Sequence, residues 1–187
     1  MRVCGLVLAA GAGTRFGGPK GLARDADGEP WVARAVRMLR AGGCDEVLVA
    51  VGAAGDAVAA LVPSEASVVR VPEWRAGVSA TLRAGSVAAS ERSADVVVVT
   101  PVDTPDAPAD AVSRVLAVLG DDPAAGLAQA VYRGRPGHPV AIGRAHLAAL
   151  GAAVSGDRGA RPYLASHDVI EVECGDLWSG EDVDARA

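Results

Sequence analysis

Residues 6–21 read LVLAAGAGTRFGGPKG and join an apolar run to a glycine-rich segment. The run over residues 2–8 is short and valine-rich, which is typical of a buried parallel strand. Glycine lets the backbone after this run turn tightly and approach a ligand closely. The glycines that do so are Gly11, Gly13, Gly17 and Gly18. The stretch therefore predicts the first strand of an α/β fold, ending in a ligand-binding loop at the carboxyl edge of the sheet.

After this loop, amphipathic helical patterns alternate with short apolar runs, which predicts a mostly parallel sheet flanked by helices. We expect a single α/β domain over residues 1–187, because no linker, repeat or low-complexity stretch interrupts the pattern. The predicted strands are residues 2–8, 46–51, 67–71, 95–100, 126–132, 138–142 and 169–173, and the predicted helices are residues 30–40, 56–61, 79–89, 108–119, 144–150 and 160–166.

The composition limits the classes of partner that this chain can bind. Half of the 187 residues are hydrophobic and the net charge is −5, which argues against a nucleic acid or an anionic membrane as partner. No apolar run approaches the ~18 residues of a membrane span. The three cysteines show no CxxC spacing, so we expect neither a disulfide framework nor a thiolate zinc site. A reducing cytoplasm is the expected location.

Lys20 is the single lysine of a chain with 17 arginines, and it lies at the end of the glycine-rich segment. A compact ammonium acts differently from a planar guanidinium, so we expect Lys20 to take part in chemistry. Together with Arg15 and the backbone N–H groups around Gly11 and Gly13, it suits a triphosphate or a pyrophosphate. The glycine spacing does not match a dinucleotide fingerprint, and no Ser or Thr follows the lysine as a Walker loop requires.

Asp103 follows the most hydrophobic predicted strand, within the sequence TPVDTP. A carboxylate at that edge of the sheet is expected to hold Mg²⁺, which takes oxygen ligands and is usually shared with substrate phosphates. The alternative role, capping the next helix, suits Asp106 better. Near the end of the chain, Asp182 and Asp184 alternate on an extended segment, so one of them can approach the ion from the opposite side or simply face solvent.

Three further residues are candidates for binding a phosphorylated acceptor. His138 lies between Gly137 and Pro139, and it either donates a hydrogen bond to the acceptor or serves as a structural turn histidine. Arg158 and Arg161 lie near a predicted helix start, where they either attract an anionic group or remain solvated at the surface.

The string LAAGAGTRFGGPKGLA resembles the signature of nucleotidyltransferases, the enzymes that move a nucleoside monophosphate from an NTP to an acceptor phosphate. Four later segments resemble successive motifs of the MobA/MocA-like branch, which attaches GMP or CMP to molybdenum cofactor, and the resemblance covers nearly the whole chain. The GHP and GDRGAR pieces are closer to the cytidylyltransferase side. The four segments are WRAGVSATLRAG, VVVVTPVDTP, GRPGHPVAIGR and GDRGARPYL.

The resemblance implies a GT-A-like Rossmann domain that transfers NMP, with CTP favoured over GTP and molybdopterin as the acceptor. It assigns phosphate binding to Arg15 and Lys20 and metal binding to Asp103 and Asp184. It places the nucleobase against Leu8, Ala9, Ala10, Gly77, Ser79 and Leu82. Two other functions are open, namely transfer to a sugar or alditol phosphate and non-catalytic nucleotide binding by a regulator.

Three segments depart from the pattern of this family. PVDTP replaces the commoner GDMP, and residues 24–27 are more acidic than usual beside the acceptor. After Asp184, Ala185–Arg186–Ala187 stands where the family has TPED, so we expect the closing helix to be missing.

Overall fold

A computed structural model describes residues 1–184, so the departure at residues 185–187 lies outside the described part of the chain. The strands are β1 (Val3–Ala9), β2 (Glu46–Val51), β3 (Ala66–Arg70), β4 (Val96–Pro101), β5 (Leu127–Tyr132), β6 (Arg135–Gly143) and β7 (Ile170–Glu173). The helices are α1 (Trp31–Ala41), α2 (Gly55–Ala59), α3 (Val78–Glu91), α4 (Ala109–Ala117), α5 (Arg144–Ala153) and α6 (Arg161–Ala165). Short 3₁₀ turns cover Lys20–Leu22, Trp74–Ala76 and Pro123–Ala125.

The strands form one seven-stranded sheet in the order β3-β2-β1-β4-β6-β5-β7. Strand β6 runs antiparallel to both of its neighbours, while the other pairs are parallel. The prediction of a mostly parallel α/β sheet flanked by helices is confirmed. The antiparallel direction of β6 has a consequence for the site, because its first residues lie beside the last residues of β4.

Each face of the sheet is covered by helices that bury an aliphatic core. In α1, Val32, Ala35, Val36 and Leu39 are buried, as the amphipathic pattern predicts. They pack on one face together with α4, while α3 and α5 pack on the other face. The central strands β1 and β4 are buried almost throughout, which explains their unbroken runs of apolar residues. Within residues 1–184, no helix is long and apolar enough to cross a membrane.

Contact between α1 and α4 depends on Gly42, the residue that ends α1. A β-carbon at Gly42 would lie 2.4 Å from Cβ of Val112 and 2.9 Å from the carbonyl oxygen of Ala109. Neither atom can move away by a rotamer change, so Gly42→Ala must push the two helices apart. We expect a loss of about 1–3 kcal/mol of unfolding free energy, measured by urea denaturation.

Gly151 provides the matched control for this substitution. It lies inside α5, and the nearest atom to an added β-carbon is Cγ of Arg83 at 3.7 Å. Gly151→Ala should therefore stabilise the protein by about 0.5–1 kcal/mol, because alanine favours the helix. If both variants are destabilised equally, the assignment of the effect to the α1–α4 contact is wrong.

Candidate active site

The glycine-rich loop after β1 closes on itself and presents Lys20 at the carboxyl edge of the sheet. The amide of Gly18 donates to the carbonyl of Gly13 at 3.0 Å. Gly13 has a φ of 58°, and a β-carbon there would lie 2.0 Å from the carbonyl oxygen of Gly18, so no other residue fits. Lys20 then opens a 3₁₀ turn. The loop conformation, rather than a long helix, sets the position of the lysine.

Lys20 forms ion pairs with two carboxylates from distant parts of the sequence. Its Nζ lies 2.8 Å from Oδ2 of Asp103 and 3.3 Å from Oδ1 of Asp184. Burial alone would lower the pKa of Lys20, but the hydrogen bonds and charges of the two carboxylates outweigh burial and raise it. Lys20 therefore remains a cation throughout the physiological range.

Backbone hydrogen bonds hold the Asp103 segment between β1 and the end of the chain. The amide of Val102 donates to the carbonyl of Leu8 at 3.1 Å, and the amide of Val183 donates to the carbonyl of Asp103 at 2.9 Å. This second bond brings the Asp182–Asp184 segment to the site. The three charged side chains of Lys20, Asp103 and Asp184 thus meet because two loops and a late extended segment converge at the ends of β1 and β4.

Asp103 retains an unused oxygen at this cluster. Its Oδ1 is buried and has no hydrogen-bond partner among residues 1–184, and such an orphaned carboxylate oxygen suits a cation. No group of three or more His, Cys, Asp or Glu side chains with metal-binding geometry is found within those residues. The two carboxylates fit an ion such as Mg²⁺, which usually binds one or two carboxylates together with substrate phosphates and water.

Two cavities meet at this cluster. The larger one, about 420 Å³, has an apolar lining that includes Leu8 and Leu82 and a polar lining that includes Asp103. The smaller one, about 180 Å³, is lined by Gly13, Thr14, Arg15, Phe16, Lys20 and Asp184. Asp103 lines the larger cavity and Lys20 and Asp184 line the smaller one, so the ion pairs of Lys20 connect the two linings.

The three residues expected to bind the acceptor all line the larger cavity. They are His138, Arg158 and Arg161. Burial lowers the pKa of His138, against the raising effect of the Asp103 and Asp182 charges. His138 is therefore neutral at physiological pH and can donate one hydrogen bond without carrying charge.

Other predicted residues are not at the lining of either cavity. Ser79 is fully buried, and its amide donates to the carbonyl of Gly156 at 3.0 Å. Gly77 is covered by the same segment, since an added β-carbon would lie 2.5 Å from Oδ1 of Asp157. Ala9 and Ala10 are buried at the end of β1, and Gly11 is exposed on the loop. In this conformation the loop at residues 156–157 covers the start of α3.

Gln129 is a lining residue that sequence reasoning missed. Its Nε2 donates to the carbonyl of Gly137 at 3.1 Å, which fixes the orientation of the amide because a carbonyl only accepts. The hydroxyl of Tyr132 donates to the carbonyl of His138 at 2.6 Å. Two β5 side chains thus hold the backbone of the His138 segment. A glutamine inside the apolar run LAQAVY was the available signal.

Arg34 was also missed, although it connects two loops of the site. Its Nη1 lies 2.8 Å from Oδ2 of Asp25, and its Nε donates to the carbonyl of Pro105 at 3.0 Å. Asp106 lies 3.3 Å from Nη2 of Arg34, and the helix that follows, α4, has no side-chain cap. The acidic segment at residues 24–27 is therefore tied to the segment that carries Asp103.

We expect Arg34→Met to lower the melting temperature at pH 7. The hydrogen bond from Arg34 holds the pKa of Asp25 below its ordinary value of 3.8. A carboxyl group whose pKa is lowered in the folded state stabilises the protein above its ordinary pKa. This stabilisation is lost as the pH falls through the lowered pKa. The difference between wild type and variant should therefore shrink below about pH 4, as measured by thermal denaturation.

Arg37→Met is the matched control on the same helix. Its side chain is 63% exposed and pairs with Glu29 at the surface, and exposed ion pairs contribute little to stability. A larger drop in melting temperature at pH 7 for Arg37→Met than for Arg34→Met would contradict the structural role of Arg34.

Comparison with known proteins agrees with this architecture. Residues 5–171 match the family model described as the MobA-like NTP transferase domain. A molybdenum cofactor guanylyltransferase from Burkholderia vietnamiensis is 37% identical over 183 residues, covering 91% of this chain and 85% of the relative. A nicotine blue oxidoreductase from Paenarthrobacter nicotinovorans is 35% identical over 193 residues, covering 97% of this chain and 92% of the relative.

A solved structure of a related protein was determined with a metal ion. It is Rv0371c from Mycobacterium tuberculosis in complex with manganese, with a TM-score of 0.76 and 26% identity, covering 93% of this chain and 89% of the other. A protein similar to this chain therefore binds manganese. The family match spans most of the chain and includes the glycine-rich loop, Lys20 and Asp103, while Asp184 lies beyond its last matched residue. This chain belongs to the MobA-like NTP transferase domain family.

Proposed function

We propose that this protein transfers a nucleoside monophosphate from an NTP to a phosphorylated small-molecule acceptor and releases pyrophosphate. The observation that carries the proposal is the cluster of Lys20, Asp103 and Asp184 between two cavities, one lined by Arg15 and one by His138 and two arginines. A cation-lined cavity suits a triphosphate tail, and a larger cavity beside it suits an acceptor. We propose further that residues 1–187 act as one domain in the cytoplasm.

On the donor side, Arg15 and the backbone at Gly11 and Gly13 bind the β- and γ-phosphates. Lys20 approaches the α-phosphate, where negative charge develops during transfer. Leu8 and Leu82 provide apolar contacts for the nucleoside, together with the backbone of Ala9 and Ala10. Gly77 and Ser79 lie under the loop at residues 156–157, so their contact with the nucleoside would require that loop to move.

Asp103 and Asp184 are the residues that would hold Mg²⁺, the ion that we propose for this site. When bound, Mg²⁺ would neutralise phosphate charge and orient substrate oxygens. The orphaned Oδ1 of Asp103 supports this assignment.

On the acceptor side, His138 donates a hydrogen bond to the acceptor phosphate, and Arg158 and Arg161 attract its charge. An acceptor phosphate oxygen attacks the α-phosphorus in line, a new P–O bond forms, and the bond to the β-phosphate breaks as pyrophosphate leaves. A phosphate monoester has a second pKa of about 6, so the attacking oxygen needs no strong general base. The neutral state of His138 agrees with a donor role.

Molybdopterin is the acceptor that we propose, and CTP is the favoured donor because of the GHP and GDRGAR motifs. The relative from Burkholderia vietnamiensis is named a guanylyltransferase, which makes GTP the competing donor. Sugar and alditol phosphates are the competing acceptors, because the same donor side serves them equally well.

The test is pyrophosphate release with each of the four NTPs, with and without molybdopterin and with and without Mg²⁺. We expect release that needs molybdopterin and Mg²⁺ and is fastest with CTP. Faster release with GTP would overturn the donor assignment, and release with sugar or alditol phosphates alone would overturn the acceptor. NTP binding without release across all acceptors would favour a regulator.

Reduction of an organic dye is a second candidate function, favoured by the identity to a nicotine blue oxidoreductase across almost the whole chain. A reduced nicotinamide dinucleotide carries a pyrophosphate, a group that the glycine-rich loop suits, although its glycine spacing does not match a dinucleotide fingerprint. The assay is loss of the reduced nicotinamide absorbance with nicotine blue present. Turnover in this assay, with no pyrophosphate release from any NTP, would replace the transferase proposal.

A further inference from the structure

Lys20 has two kinds of partner at this site. The proposed function places its ammonium near the α-phosphate, and the structure pairs it with the carboxylates of Asp103 and Asp184. These carboxylates use two of its three N–H groups, so a metal ion bound to them would displace the ammonium. The position of Lys20 is therefore linked to occupation of the metal site.

The ion-pair geometry shows how Lys20 balances the charge of the two carboxylates. Its side chain is only 16% exposed, and that of Asp103 is 17% exposed, so their charges are poorly solvated. Asp184 is 59% exposed and lies on the open side of the cluster. Without a cation, these two carboxylates, which both contact the same ammonium, would repel each other across a partly buried site. The ammonium supplies one positive charge and occupies the place where both carboxylates point.

We propose that Lys20 is an exchangeable counter-ion that blocks the metal site until nucleotide arrives, which makes metal and NTP binding cooperative. This inference rests on the proposed function. A divalent ion approaching Asp103 and Asp184 meets the positive charge of Lys20, which lies on Oδ2 of Asp103 and Oδ1 of Asp184 and repels the ion from both carboxylates. Lys20 also lines the small cavity with Arg15, so a triphosphate there can draw the ammonium away by rotation of its flexible stem.

The coupling is reciprocal by thermodynamic necessity. A triphosphate that draws Lys20 away raises the affinity of the carboxylates for the metal ion, and a metal ion that displaces Lys20 raises the affinity for the triphosphate by the same factor. The negative charge of the triphosphate adds a direct attraction for the ion. Only the contribution through Lys20 disappears when the lysine is removed.

The test measures Mn²⁺ affinity by the electron paramagnetic resonance signal of free Mn²⁺, first with the nucleotide-free protein. We expect Lys20→Met to bind Mn²⁺ about 5–150-fold tighter than wild type, the usual range of such couplings. A non-hydrolysable CTP analogue should then tighten Mn²⁺ binding less in Lys20→Met than in wild type. Loss of Lys20 is therefore expected to tighten Mn²⁺ binding while it lowers turnover.

Three control variants make the result specific. Arg15→Met removes a neighbouring cation that lines the same cavity without an ion pair to the carboxylates, and it should leave nucleotide-free Mn²⁺ affinity close to wild type. Lys20→Arg keeps a cation at this position and should bind Mn²⁺ about as weakly as wild type. Asp103→Asn in the Lys20→Met background should abolish the tight site, and thermal denaturation checks that each variant is folded.

Unchanged Mn²⁺ affinity in Lys20→Met would overturn the proposal. Equal tightening in Arg15→Met would also overturn it, because the removal of any nearby positive charge would then strengthen Mn²⁺ binding. Tightening in Lys20→Met together with no pyrophosphate release from any NTP would retain the counter-ion role and remove the transferase function. Pyrophosphate release together with an Mn²⁺ affinity that does not depend on Lys20 would retain the transferase function and remove the counter-ion role.

Discussion

Lys20→Ala should reduce the turnover of nucleotidyl transfer by about 10²–10³-fold, the usual cost of removing one donor that stabilises transition-state charge. No other lysine exists in the chain to replace it, and the arginine that lines the same cavity, Arg15, is proposed to hold different phosphates. The rate of pyrophosphate release at saturating NTP and Mg²⁺ measures the effect. Saturating metal matters because the variant is expected to bind the ion differently from wild type.

Two results would contradict this role for Lys20. Turnover within a few-fold of wild type would remove the ammonium from the mechanism. A large drop in melting temperature would show that the loss reflects folding rather than catalysis. Lys20→Arg is the informative second variant, because it keeps the charge but changes its shape and should recover only part of the rate.

Asp103→Asn should lower turnover by about 10³-fold, because metal-ion catalysis supplies several kcal/mol and each 1.36 kcal/mol changes a rate tenfold. The substitution keeps the size of the side chain and its amide can still accept a hydrogen bond from Lys20. It removes the charge that an ion needs. The measurements are pyrophosphate release and Mn²⁺ affinity on the same preparation.

Asp106→Asn is the matched control, three residues further along the same loop. Its side chain is 68% exposed and pairs with Arg34 at the surface. We expect its turnover and Mn²⁺ affinity to stay within a few-fold of wild type, because exposed ion pairs contribute little. Equal losses in the two variants would mean that the loop conformation, rather than the Asp103 carboxylate, carries the effect.

The buried faces of the helices and strands could be predicted, because the spacing of apolar residues within one element identifies its buried face. The amphipathic spacing in α1 and the unbroken valines of β4 each state which face is buried, and the structure buries those faces. The carboxyl-edge rule for parallel strands was sufficient to expect the glycine-rich loop and Asp103 on the same side of the sheet. The distance of 2.8 Å between Nζ of Lys20 and Oδ2 of Asp103 agrees with that expectation.

The site residues that escaped prediction act through contacts between distant parts of the sequence. Arg34 looks like any surface arginine of an amphipathic helix, and only the packing of α1 brings it to Pro105. Gln129 reaches the cavity because β6 runs antiparallel beside β5. Ser79, by contrast, was predicted to contact the nucleobase, but the loop at Gly156 covers it. No local pattern contains these pairings.

The sequence by itself determined the α/β alternation, the glycine-rich turn after β1 and the chemistry of its cations, because backbone freedom, amphipathicity and side-chain charge are properties of neighbouring residues. The tertiary structure alone decided that a single ammonium bridges Asp103 and Asp184, residues 81 positions apart, and that two cavities meet there. An ion pair depends on distance in space, and that distance is set only after the sheet order has brought the ends of β1, β4 and the late acidic segment together.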